Sequence, residues 1–270
     1  MTRGGRVSIL ASSAITRPTQ FARRRVAIPI GIMLLVSVAQ LYLSPGSASA
    51  ELTNDEILVK VGEVIERGQA TAYSAVREYH LRNHRFGKEA IVFAQVSYSP
   101  DAGKDFTILQ SSGSPKLIEI VQKLFESEIE VSRPAAFAAV AISPANYRAQ
   151  LRGIDTKGKR ACYAIDLIPK RRSKYLIKGT AWIDRESYGL VRIEGTTSAS
   201  VSMWIGSPHI LQEFEQIGGF WFPVHTGSLS SGFLLGASEL EIRYTDYLVT
   251  GADHSAPNRI ATDGLRQLRQ

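Results

Sequence analysis

The side chains that could do chemistry are few and scattered. His80 and His84 stand four apart, a spacing that on a helix would put two imidazoles on one metal-binding face. Here the pair spans the end of a strand-like run and the turn before Gly87, and no third ligand has a fitting spacing. His209, His225 and His254 offer no Ser or Asp arrangement of the triad kind. The serines at 228, 230 and 231 lack a G-x-S-x-G elbow, so they read as a turn. No H-E-x-x-H, P-loop or G-x-G-x-x-G occurs. Asp184 and Glu186 flank a turn, where Asp is favoured for local backbone hydrogen bonds. Cys162 is the one cysteine, which excludes an internal disulfide. It lies in a strand-like run and reads as a small core residue. The expectation is a protein with no catalytic residue, no metal and no cofactor.

Two groups remain that could bind rather than react. Lys170, Arg171, Arg172 and Lys174 form a basic run between two strands. It is either a solvated hairpin tip or a contact for anionic lipid head groups or an acidic partner patch. The large aromatics Trp182, Trp204, Phe220, Trp221 and Phe222 all fall in the second half. Alternation sends Phe220 and Phe222 to one face of a strand and Trp221 to the other. They belong either to a packed core or to the wall of a cavity for acyl chains, where each buried CH₂ gains about 0.8 kcal/mol. Trp182, Trp204, Phe220 and Phe222 are the candidate lining residues.

Elements must hold these groups in place. A helix is expected from Thr53 or Asn54 to Gly68, with Asp55 and Glu56 in its first turn and Ile57, Leu58, Val61, Val64 and Ile65 at helical spacing. A second begins at Ser114-Pro115 and carries Leu117, Ile120, Val121, Leu124 and Phe125. Most of the rest reads as strands: 73–82, 89–99, 105–110, 146–151, 160–168, 175–184, 190–194, 200–205, 209–215, 220–226 and 238–249. In the last, Leu240, Ile242 and Tyr244 alternate with Glu239, Glu241, Arg243 and Thr245, the mark of an antiparallel sheet with one wet face. No βαβ alternation appears. The pattern predicts a mostly β (α+β) fold: a long antiparallel meander that either closes into a barrel or curls around something, with two helices over its open mouth or one face.

The first fifty residues have a different composition. Arg3, Arg6, Arg17, Arg23, Arg24 and Arg25 precede an apolar run from Val26 to Leu43, then Pro45-Gly46 and Ala48-Ser49-Ala50. Positive region, apolar region and A-x-A site are the layout of a secretory signal peptide cleaved after Ala50. The chain is therefore expected to be exported to the periplasm, with a domain over 51–250 and a polar tail over 251–270. Removing those six arginines from the 32 Lys and Arg leaves 26 basic residues against 25 acidic. This near-neutral balance removes the main support for nucleic-acid binding.

Several segments together resemble a known family. They are 179–184 (Gly-Thr-Ala-Trp-Ile-Asp) with 190–194 (Leu-Val-Arg-Ile-Glu) across a short turn, 169–178, 219–223 (Gly-Phe-Trp-Phe-Pro) and 240–247. Over about residues 52–250, their order is similar to that of outer-membrane lipoprotein-sorting proteins, the superfamily of the carrier LolA, its receptor LolB and the envelope-stress regulator RseB. The resemblance implies a half-barrel with helices as a lid over an apolar cavity. It implies a non-catalytic carrier for a lipid or lipid-modified protein, with a membrane-protein partner as a further possibility. The alternative is a stress regulator or scaffold that binds a protein partner. The resemblance also places Arg77 where the carrier has an arginine bonded to the lid; a cross-strand pairing is the other reading of that residue.

Overall fold

The computed structural model describes residues 52–201, 206–232 and 236–250. The expected signal peptide, the polar tail and Trp204 lie outside the described residues. In chain order the elements are α1 (Asn54–Gln69), β1 (Tyr73–Asn83), β2 (Lys88–Ser99), β3 (Gly103–Gly113), α2 (Pro115–Ser132), a single turn α3 (Pro134–Phe137), β4 (Tyr147–Lys157), β5 (Arg160–Pro169), β6 (Ile177–Asp184), β7 (Leu190–Thr197), β8 (His209–Ile217), β9 (Phe220–Gly232) and β10 (Gly236–Val249).

All the strands join one antiparallel sheet in the order β3-β2-β1-β10-β9-β8-β7-β6-β5-β4. The first and last strands pair inside it, third and fourth from the β3 edge, from Tyr73 with Val249 to Asn83 with Ser238. The sheet curls without closing, so β3 and β4 remain edges. This is the curled antiparallel meander that the strand pattern allows and the incomplete barrel that the resemblance implies. The expected strand at 200–205 does not form at Ser200 and Val201, and its remainder lies outside the described residues. The Thr197 hydroxyl donates to Ala199 O at 2.7 Å and helps end β7 in a bend.

Local chemistry explains the helix ends. Thr53 and Glu56 form a reciprocal capping box on α1, with Thr53 N donating to Glu56 Oε2 at 2.8 Å and Glu56 N donating to Thr53 Oγ1 at 3.3 Å. Pro115 opens α2, where its missing N–H costs nothing. Each helix then covers part of the concave face. From α1, Ile57, Leu58 and Val61 are fully buried against Ile165, Ala181, Ile183 and Ile193. From α2, Leu117, Val121 and Phe125 pack against Tyr79, Val92, Ala94 and Ile242. Each such side chain contributes roughly 1.5–3 kcal/mol by leaving water. A third cluster holds Ile217, Phe222 and Val249.

The two edges differ. At β4, Leu151 N donates to the side chain of Asn54 at 3.0 Å, so α1 caps the edge. The same strand carries Arg148, Arg152, Asp155 and Lys157 and a bulge between Leu151 and Gly153. These are devices that blunt an edge. Along β3 the stretch 107–113 has no charged residue and is exposed throughout, with one irregularity in its pairing to β2.

The sheet coils tightly where β6 meets β7. Gly179 faces Gly195 across the pair, and a Cβ on Gly179 would lie 2.1 Å from Glu194 O and 2.5 Å from Gly195 Cα. Replacing Gly179 by Ala should therefore lower the unfolding free energy by about 1–3 kcal/mol. Urea denaturation checks this; an unchanged midpoint would mean that the strands can part at no cost.

Candidate functional site

Alternation along β1 turns Ala75, Arg77, Tyr79, Leu81 and Asn83 inward, and all five are buried. Four are ordinary for the inside of a β-sheet; a guanidinium is not, and a buried charge needs a partner. The partner comes from α2. Its buried stripe runs Leu117, Val121, Phe125, and three residues further Glu128 continues that face. Arg77 Nη1 donates to Glu128 Oε2 at 2.9 Å and to Oε1 at 3.1 Å. Lys104 Nζ, from β3, reaches Glu128 Oε2 at 2.8 Å. The Arg77 guanidinium lies 4.7 Å from the Tyr244 ring centroid and 5.2 Å from that of Phe106, and Nη1 also donates to the Tyr79 hydroxyl at 3.1 Å. Its Nε is buried without a partner among the described residues.

Burial opposes ionisation of Glu128, but Arg77 and then Lys104 outweigh it and hold the carboxyl at about 2. Burial likewise works against the charge on Lys104, and Glu128 overcomes it and raises its pKa. Two cations and one carboxylate thus form an electrostatic latch between α2 and the sheet.

Beside the latch the helix does not fill the concave face. A cavity of about 400 Å³ opens where the N-terminal turn of α2 crosses β1, β10 and β9. Leu81, Leu117 and Ile120 make apolar walls, with Phe86 at the mouth. Ser114, Ser230 and Ser238 add hydroxyls, and among the described residues the charged ones in the lining are Lys88 and Lys116. The Asn83 amide is engaged, donating to Ser238 Oγ at 2.8 Å and accepting from Phe86 N at 3.0 Å. Among the described residues the lining holds no carboxylate, imidazole or thiol. Among the described residues no group of three or more His, Cys, Asp or Glu could hold a metal ion.

The residues singled out from the sequence do not converge here. Trp182 lies on the convex face, opposite Ala181 and Ile183. Its indole N–H donates to Asp155 Oδ2 at 2.8 Å, and Lys157 and Arg192 sit over its ring. Phe222 is buried and packs against Tyr73 and Tyr247, with ring centroids 4.9 and 4.7 Å apart. Phe220 is a partly buried neighbour in that cluster. Both belong to packed core beside the end of the sheet away from the cavity. Trp204 is outside the described residues. In the basic run, Lys170 and Arg171 donate to the carbonyls of Pro144 and Ala139, which fastens the β5–β6 loop to the α3–β4 segment. Lys174 sits over the Tyr175 ring, and Arg172 is exposed. Arg77 alone reaches the lid, through a carboxylate rather than the backbone. Sequence reading missed Glu128 and Lys104; the available signal was a glutamate in register with the apolar stripe of α2.

No protein-family profile matches the sequence, and no curated protein matches it. Among solved structures the chain is similar to a LolA superfamily protein from Nitrosomonas europaea, at 15% identity, with 80% of this chain and 100% of that one covered and a TM-score of 0.41. It is similar to a domain from Vibrio parahaemolyticus named for outer-membrane lipoprotein sorting, at 13% identity, 73% and 94% coverage and a TM-score of 0.41. A DUF1329 family protein from Desulfovibrio piger follows at 12% identity, 76% and 93% coverage and a TM-score of 0.39. The likeness is one of fold and assigns no ligand.

Because Glu128 titrates below the usual carboxylate value of about 4.3, its contribution is complete above that value. It is lost as pH falls through about 2. Hydrogen exchange should show α2 equally protected from neutral pH down to about pH 5 and opening below about pH 4. Arg77→Ala should cost about 1.5–3 kcal/mol by removing one of the two cations on Glu128, which keeps Lys104, and Glu128→Gln, which leaves Arg77 buried without its counter-ion, should open α2 already at neutral pH. Unchanged α2 protection in Glu128→Gln would show that apolar contacts alone hold the helix.

Proposed function

We propose that this chain is exported, is cleaved after Ala50, and works in the periplasm as a non-catalytic binding or carrier protein for a lipid or a lipid-modified protein. The observation that carries this is the cavity of about 400 Å³ beneath α2, walled by Leu81, Leu117 and Ile120. Its size falls in the range of small-ligand sites, about 300–1,000 Å³. Its largely apolar walls suit a hydrocarbon chain. The helix that roofs the cavity is held in part by the Arg77–Glu128–Lys104 latch. Displacing α2 would widen the cavity into the face that Val121 and Phe125 now fill. In this reading Arg77 is a lid residue, and the aromatics Phe220 and Phe222 are support.

A second reading, a regulator or scaffold for a protein partner, is favoured by one observation. The exposed, uncharged edge of β3 offers unpaired backbone groups to an extended peptide. Capture of an inner-membrane protein that is lost when Ile108 is changed to Pro would support it.

Protein purified without detergent from cells expressing the full chain should carry an apolar ligand, seen by native mass spectrometry and lipid extraction. Ile120→Trp should fill the cavity and remove that mass while circular dichroism stays unchanged. Protein that is empty and also takes up no fluorescent fatty acid would end the lipid reading.

A further inference from the structure

Antiparallel pairing sends the strand ends to two rims. One rim, here the upper, is where β1, β3, β5, β7 and β9 finish, and the mouth of the α2 cavity opens on it. Lys88 starts β2 there and Lys116 lies in the first turn of α2. Lys170, Arg171, Arg172 and Lys174 occupy the β5–β6 loop at the same rim. All six are exposed. The described connections at this rim, residues 84–87, 114, 138–146, 170–176, 198–201 and 206–208, contain no acidic residue. Lys170 and Arg171 bond to backbone carbonyls, which leaves their charge uncancelled. Glu89 is turned to His80 and Glu119 to Lys123, whereas Glu130 of α2 accepts from the Tyr175 hydroxyl of the β5–β6 loop at 3.3 Å, one carboxylate against that loop's four cations. Phe86 stands 55% exposed and lines the cavity with Lys88 and Lys116. The opposite rim is balanced, with Asp101 and Glu186 against Lys159 and Arg185.

We infer that the upper rim docks on an anionic lipid surface, with the cavity mouth facing the bilayer. Anionic head groups attract exposed lysine and arginine within a Debye length, and a neighbouring exposed aromatic can enter the interface. An acidic protein patch would satisfy the charges alone. The apolar side chain at the mouth and the chain-sized cavity behind it favour lipid. The direction of ligand access rests on the lipid reading given above; the docking does not.

Flotation of the purified protein with vesicles tests it. Binding should be strong on vesicles of phosphatidylcholine with phosphatidylglycerol, weak on phosphatidylcholine alone, and reduced by added salt. Arg172→Glu with Lys174→Glu, remote from the cavity, should lower binding about tenfold or more while co-purified lipid is retained. Lys159→Glu with Arg185→Glu, on the opposite rim, should bind as the unaltered protein does. Equal flotation on both vesicle types, or flotation indifferent to the upper-rim reversal, would overturn the inference and leave the ligand reading intact. No flotation on either would also overturn it and point the cations to an acidic protein. Charge-dependent flotation by a protein that never holds lipid would uphold the docking and remove the ligand reading.

Discussion

A sheet that curls but does not close has an apolar concave face, and nothing in the sheet itself can cover it. Here two helices do so, each over a different group of strands. Ile57, Leu58 and Val61 of α1 cover β5, β6 and β7, and Leu117, Val121 and Phe125 of α2 cover β1, β2 and β10. The ten-rung pairing of β1 with β10 lies within the second region, and β9 and β8 join it to the first. Both helices must stay docked for the fold to bury its core, yet any ligand in the hollow must displace part of that coverage. The space left at the N-terminal turn of α2 is where the two demands meet.

That conflict gives the Arg77–Glu128–Lys104 cluster its meaning. A buried ion pair is a poor source of stability, because desolvation offsets most of the attraction. An apolar residue at 128 would hold α2 at least as well. What the charges change is the response to opening. Apolar contact is lost in proportion to area, whereas the attraction on the buried Arg77 weakens further as water reaches it and the effective dielectric rises. The rings of Tyr244 and Phe106 lie within 4.7 and 5.2 Å of the guanidinium and shield the Arg77 end of the cluster, while Glu128 and Lys104 stay partly exposed.

Much of this fold is legible in the sequence because the sheet is half-buried. Period-two alternation marks β10, and helical spacing with good caps marks α1 and α2. The site was less legible, for two physical reasons. Alternation says that Trp182 and Ala181 point to opposite faces but not which face is covered. The concave face of β6 takes Gly179, Ala181 and Ile183, with α1 packed against Ala181 and Ile183, so the large indole is sent to the convex side. Partners far apart in the chain leave no local mark. Arg77 could be placed on an early strand, but Glu128 lies 51 residues away and is joined to it only by the fold. Phe220 and Phe222 pack as core for the same reason: Tyr73 and Tyr247 reach them from strands distant in sequence.

The near-balance of 26 basic and 25 acidic residues after residue 50 conceals how charge is arranged. On the convex face, charges cancel in cross-strand pairs such as Arg82 with Glu239 and Arg192 with Glu213. The helices lean acidic, with Asp55, Glu56, Glu63 and Glu66 on α1 and Glu119, Glu126, Glu128 and Glu130 on α2. The cations that balance them are left on the loops of one rim. Loops do not set the register of this sheet, and exposed charge there adds little to stability. A one-sided distribution of this kind acts on what approaches the molecule rather than on the fold. It orients the half-barrel in any negative field before contact is made, and the end it turns forward is the end where the cavity opens.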